Sequence, residues 1–133
     1  MMINNTKEEL SFNNFSEKIV NGIEVYSISN VAFDIYKKNA KNDKDISRDV
    51  LERKLTAMVL STAVNNKLNG KNVYRFSGFA MIINERTKKI ETISWLRDTH
   101  SAYISEQGTY KKLRQNYKLL GLNSKGNKMK NLS

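Results

Sequence analysis

The stretch from Asn72 to Asn84 constrains this chain most. Its run Val-Tyr-Arg-Phe-Ser-Gly-Phe-Ala-Met-Ile-Ile is rich in aromatic and β-branched residues and too apolar for a surface loop. It predicts a central strand. Asn84-Glu85-Arg86-Thr87-Lys88 then reads as a turn, and Lys89-Ile90-Glu91-Thr92-Ile93-Ser94-Trp95-Leu96 as the antiparallel partner. On strict alternation Ile90, Thr92, Ser94 and Leu96 share one face of that partner, and Glu91, Ile93 and Trp95 the other. Both faces carry apolar weight. Helices are therefore expected over one side, with the N-terminal strand or the last helix covering part of the second.

Upstream, Ile23 to Ile28 is β-prone, and Asn21-Gly22 is a turn dipeptide able to close a small hairpin before it. Ser29 or Asn30 can cap a helix running to about Asn39, with Val31, Ala32, Ile35 and Tyr36 on one face. After a polar loop, Asp45 or Ser47 starts a longer helix through Val50, Leu51, Leu55, Met58, Val59 and Thr62. Asn69-Gly70 is expected to end this helical region. On that helix Asp49 and Arg53 form an i,i+4 pair, and Glu52 with Arg53 reads as a solvated face. Met58, Met81 and Trp95 read as core residues. A last helix from about Tyr110 to Leu120 turns Leu113, Tyr117 and Leu120 to one side, and Gly121 can end it. The fold class is α+β: a small antiparallel sheet with a central hairpin at about 72–96, two helices before it and one basic helix after it. The expected organisation is a polar N-terminal arm over 1–16, one α+β domain over 17–121 and a basic disordered tail over 122–133.

A chain of 133 residues is the size of one domain and can bury an ordinary apolar core. The absence of cysteine excludes disulfides, a thiolate nucleophile and any zinc site built on Cys. It fits a reducing, cytoplasmic setting. The first residues, Met1 to Glu9, contain no apolar stretch, which predicts no secretory signal, and no segment approaches the length needed to span a bilayer. No membrane association is expected. The abundance of Lys and Asn is what an A+T-rich gene gives, as in low-GC bacteria, their phages and mobile elements.

The net charge of +10 is unevenly placed. After Glu106 there is no acid, while Lys111, Lys112, Arg114, Lys118, Lys125, Lys128 and Lys130 follow. Such a block repels itself and is stabilised by phosphate, so it reads as a footprint for RNA or DNA. Tyr110 and Tyr117 interleave with these cations; they can stack on bases or belong to the core. The same block would also suit a solvated tail, or an inhibitor or antitoxin-like protein that binds an acidic face of a host protein.

Little in the chain dictates one reaction. His100 is the sole imidazole, which excludes a metal site with two histidines, and no glycine-rich phosphate loop is present; neither metal nor cofactor is expected. Acid–base work by His100 remains open, with Arg97, Asp98 and Ser101 close in sequence. A Ser94, His100 and Asp98 triad lacks a nucleophile elbow and is rejected. Arg75 stands out, because an arginine in a central strand must reach water, an acid or a ligand phosphate.

The order strand, two helices, hairpin resembles the RelE/BrnT-like branch of small toxin nucleases, whose superfamily includes colicin-like RNase domains. The resemblance covers about residues 23–97 and is carried by Val73-Tyr74-Arg75-Phe76-Ser77-Gly78, Phe79 to Asn84 and Thr87 to Trp95. It implies a RelE-like endoribonuclease that needs no metal, in which arginines stabilise the phosphorane and a Tyr, His or Glu moves protons. Arg75 then lies on the first arm of the hairpin, and Arg97, His100 and Tyr103 just after the second, as candidate catalytic groups. Many relatives begin the first helix with a histidine. Here Ser29-Asn30-Val31-Ala32-Phe33 stands in that place and offers no group that moves a proton near neutrality.

Overall fold

The computed structural model describes residues 18–62, 64–76, 78–95 and 107–128. The chain enters through a hairpin in which β1 (Ile19–Val20) pairs with β2 (Ile23–Glu24) across Asn21 and Gly22, both at positive φ. The strand expected through Ile28 is interrupted. Val25, whose N–H donates to Lys18 O at 2.9 Å, and Tyr26 are buried, and the Tyr26 N–H turns away to Thr56 Oγ1 at 2.9 Å. Only β3 (Ser27–Ile28) joins the main sheet.

Helix α1 (Asn30–Asn39) begins where Ser29 Oγ accepts the Ala32 N–H at 3.0 Å, which satisfies one of the donors left open in the first turn. Ala32 and Tyr36 face the core, whereas Val31 is 59% exposed, so the apolar stripe is narrower than expected. A 3-10 turn at Lys41–Asp43 leads to α2 (Arg48–Leu60), capped by Ser47 Oγ on the Val50 N–H. The helical region expected to run through Thr62 and end at Asn69-Gly70 is corrected here: α2 stops at Leu60 and Val64–Leu68 is strand β4. Asn69-Gly70 does not end a helix. With φ of 53° and 82° it closes a two-residue hairpin into β5 (Lys71–Phe76), as the twist of paired strands favours.

The apolar run is likewise two strands. β5 turns back at Gly78 (φ 101°) into β6 (Phe79–Asn84), with Phe76 opposite Phe79, and β7 (Lys89–Trp95) follows. The five-stranded sheet has the order β3-β7-β6-β5-β4, antiparallel except where β3 runs parallel to β7. The fold is α+β. The chain starts at one edge of the sheet, crosses by way of α1 and α2 to the other, and meanders back to its starting strand.

A bulge explains why β7 looked apolar on both faces. Ile82 pairs with Thr92 and Ile83 with Ile90, which leaves Glu91 as an extra residue. The slip brings Ile90 onto the same buried face as Ile93 and Trp95. Tyr36 of α1 meets Trp95 edge-on at 5.6 Å, and Trp95 stacks on Phe79 at 5.0 Å. Helix α3 (Gln107–Leu119) packs against α2, and its Tyr110 ring meets Phe76 on this same face. The described helices therefore lie on one side, and α3 does not cover the second side as expected.

Candidate nucleic-acid interface

Helix α3 is held at its inner face by Leu113, Tyr117 and Leu120, spaced i, i+4 and i+7 and all buried. Its C-terminus is fastened by three devices. Gly121 (φ 81°) lets the Gly121 N–H reach Lys118 O at 3.0 Å and the Leu122 N–H reach Tyr117 O at 2.9 Å, a Schellman arrangement. Arg53 Nη1 donates to Leu120 O at 3.1 Å, and Asn21 Nδ2 donates to Leu119 O at 2.6 Å. Asn116 Nδ2 donates to Ser61 Oγ of the turn after α2. The first three satisfy carbonyls that a helix end leaves open, and together with the Asn116 bond they fix which face of α3 looks outward.

Residues 122–128 are packed where a disordered tail was expected. Leu122 is buried in the core, the usual hydrophobic partner of such a cap, and it bridges to Lys128. Between them Asn123 Oδ1 accepts the N–H groups of Lys125 (2.8 Å) and Asn127 (3.0 Å). Gly126 (φ 80°) lies so close to Tyr117 that a Cβ there would fall 2.7 Å from Cζ of the ring. Only glycine fits this approach.

The outer face of α3 follows from helical spacing. Lys111, Arg114 and Lys118 stand at i, i+3 and i+7, with Lys112 at the margin, and all four are exposed. Lys125 and Lys128 are exposed on the turn beyond. Described carboxylates find cations elsewhere: Asp43 on Lys54 at 2.8 Å, Asp49 on Lys18 and Arg53, Glu91 on Lys71 at 2.7 Å, and Glu85 on Lys88 at 3.6 Å. Among the described residues no carboxylate pairs with Lys111, Lys112, Arg114, Lys118, Lys125 or Lys128.

Of the two tyrosines, Tyr110 is 38% exposed beside this face. Tyr117 is 5% exposed and is a core residue, so its reading as a base-stacking platform is corrected. Burial, with Asp43 and Tyr110 nearby, pushes its hydroxyl up to about 12. Arg75 is exposed between the inward-facing Tyr74 and Phe76, so it projects from the sheet face opposite the helices, across from Ala80. Arg97, His100, Tyr103 and Lys130, like the polar arm at 1–16, lie outside the described residues.

Two carboxylates do more than their sequence positions announced. Glu52 is 9% exposed rather than solvated: Oε2 accepts the buried Ile28 N–H at 2.9 Å, and Oε1 accepts from Lys18 at 3.0 Å. It ties β3 to α2. Glu85, in the turn after β6, accepts from Tyr26 (2.8 Å), Tyr74 (2.7 Å) and Asn72 (3.1 Å). Burial raises the Glu85 carboxyl, but these three donors and Lys88 outweigh it and hold the group below the ordinary range. Burial and Glu85 together push Tyr74 up to about 12 and Tyr26 higher. The trio locks the hairpin turn to the sheet. Among the described residues no group of three or more His, Cys, Asp or Glu side chains is placed to hold a metal ion. No described helix is long and apolar enough to cross a membrane.

No family model, curated protein or solved structure matches this chain.

Proposed function

We propose that this chain is a small, basic nucleic-acid-binding protein of the cytoplasm whose contact surface is the outer face of α3 and the turn after it. One observation carries the reading: Lys111, Lys112, Arg114 and Lys118 share the outward side of a firmly anchored helix, and no described carboxylate answers them. Unpaired cations on a rigid element repel one another, and a string of phosphates relieves that repulsion while releasing counterions. Tyr110, half turned to solvent at the same helix, offers a ring beside the phosphate path.

Titration of RNA and DNA with the protein across salt concentrations tests this. About four phosphate contacts give a log–log slope of about −2.8 for a single strand to about −3.6 for a duplex, so a fourfold rise in salt weakens binding about 50- to 150-fold. A flat response contradicts it. Should nucleic acid fail to bind while an acidic protein partner does so after nuclease treatment, the inhibitor reading takes its place.

The RelE/BrnT-like resemblance is supported by the order of strand, two helices and antiparallel strands, with the helices on one face of the sheet. The endoribonuclease reading depends on Arg75 acting with Arg97, His100 or Tyr103. Loss of RNA cleavage in Arg75→Ala, with RNA binding retained, is the result that would favour it.

A further inference from the structure

Beside the C-terminal turn lies a groove of about 540 Å³ that the basic face of α3 does not include. One wall is the segment from the 3-10 turn to the start of α2, and the other is Asn127 and Lys128. Its volume falls in the range of small-ligand sites, roughly 300–1,000 Å³. Its composition is divided by chemistry. Lys41, Lys44 and Lys128 stand exposed at its rim, and none pairs with a described carboxylate. Ile46 and Val50 supply a half-buried apolar surface. The Asn42 and Asn127 amides each offer a donor and an acceptor.

Two carboxylates also line the groove, and one of them is already engaged: Asp43 accepts from the Tyr36 hydroxyl at 2.6 Å and from Lys54 at 2.8 Å. Asp45 remains exposed against three lysines, so the rim stays cationic. The groove is also continuous with the basic surface. Lys128 belongs to the turn that leaves α3 through Leu122, and Lys125 stands on that same turn.

Resting on the nucleic-acid reading of α3, we propose that this groove receives one unpaired nucleotide of a single strand. The flanking phosphates meet Lys41, Lys44 and Lys128, the base lies on Ile46 and Val50, and the asparagine amides meet the base edge. A base stacked and paired in a duplex cannot present its face to Ile46 and Val50, whereas the outer face of α3 accepts either form. The protein therefore prefers single strands, and the preference resides in the groove.

Anisotropy titrations with a short labelled single strand, as RNA and as DNA, and with the matching duplexes test this on the full chain. Lys41→Glu with Lys44→Glu is expected to weaken single-strand binding by about tenfold or more and duplex binding by less than about threefold. Both positions are exposed, and an unchanged thermal unfolding curve verifies the fold. Lys41→Gln with Lys44→Gln should fall between the two proteins. In the wild type, photo-crosslinking from a thio-substituted pyrimidine should label the peptide that contains Ile46. Equal loss on single strand and duplex overturns the groove assignment, as does no loss on either. If in that case Lys111→Glu with Arg114→Glu still weakens both forms, the α3 reading survives alone; a wild-type chain that binds no nucleic acid overturns both.

Discussion

At the scale of single residues, the stability of the fold turns on carboxylates buried among donors. Glu52→Ala leaves the buried Ile28 N–H without its acceptor and Lys18 without one partner, and should cost about 1–3 kcal/mol in chemical denaturation. Glu52→Gln retains one acceptor for the N–H and should cost less. Glu85 sets a pH dependence whose sign follows from its lowered titration. The folded protein holds the carboxylate more strongly than the unfolded chain does. That stabilisation is complete above the free value of 4.5 and is lost as pH falls through the lower folded value. Thermal unfolding temperatures of the wild type should fall as the medium is acidified below that point, and those of Glu85→Gln should fall less. The tyrosines act in the opposite direction. Tyr26 and Tyr74 titrate higher when folded, so their share is present below pH 10.0 and fades as pH rises beyond it. The i,i+4 partnership of Asp49 and Arg53 was legible in the sequence because it is local. The roles of Glu52 and Glu85 were not, since Ile28, Tyr26 and Tyr74 reach them only through the tertiary fold.

At the scale of elements, turn chemistry decided what apolar patterning could not. The cap at Ser29, the hairpin at Asn21-Gly22 and the buried stripe Leu113, Tyr117, Leu120 of α3 were all readable, because each depends on neighbours within a few residues. Strand β4 was not. Its sequence Val-Asn-Asn-Lys-Leu holds a single strong β-former, Val64, and edge pairing to β5 gives it a conformation its other residues do not announce. The run from Val73 to Ile83 hid a reversal at Gly78, since strands on both sides of it turn apolar residues to the same core. The bulge at Glu91 broke the alternation on which the face assignment of β7 rested. The turn after α3 supplies the prediction at this scale. Gly126→Ala forces a Cβ onto the Tyr117 ring at positive φ, for which a loss of about 2–4 kcal/mol is expected, read from denaturant midpoints. The same change should loosen the turn that displays Lys125 and Lys128, making their amides exchange faster while those of β6 keep their protection relative to global unfolding.

At the scale of the whole molecule, charge and core are separated by layer. The sheet presents Phe76, Phe79, Met81, Ile83, Ile90 and Ile93 inward to the helices, and α3 closes that layer while turning its cations out. The uneven charge was visible in the sequence because the lysines lie close together along the chain. Their gathering on one face of α3 follows from their spacing; the anchors from Arg53, Asn21 and Asn116 that help hold that face outward were announced by no pattern in the sequence. The proposed hold of this face on phosphates is read most directly from the salt dependence of binding once its cations are neutralised. With Lys111, Arg114 and Lys118 replaced together by Gln, the log–log slope should become shallower by about 2–3 units relative to wild type, with weaker binding at low salt. A variant that keeps the wild-type slope and affinity would contradict the account.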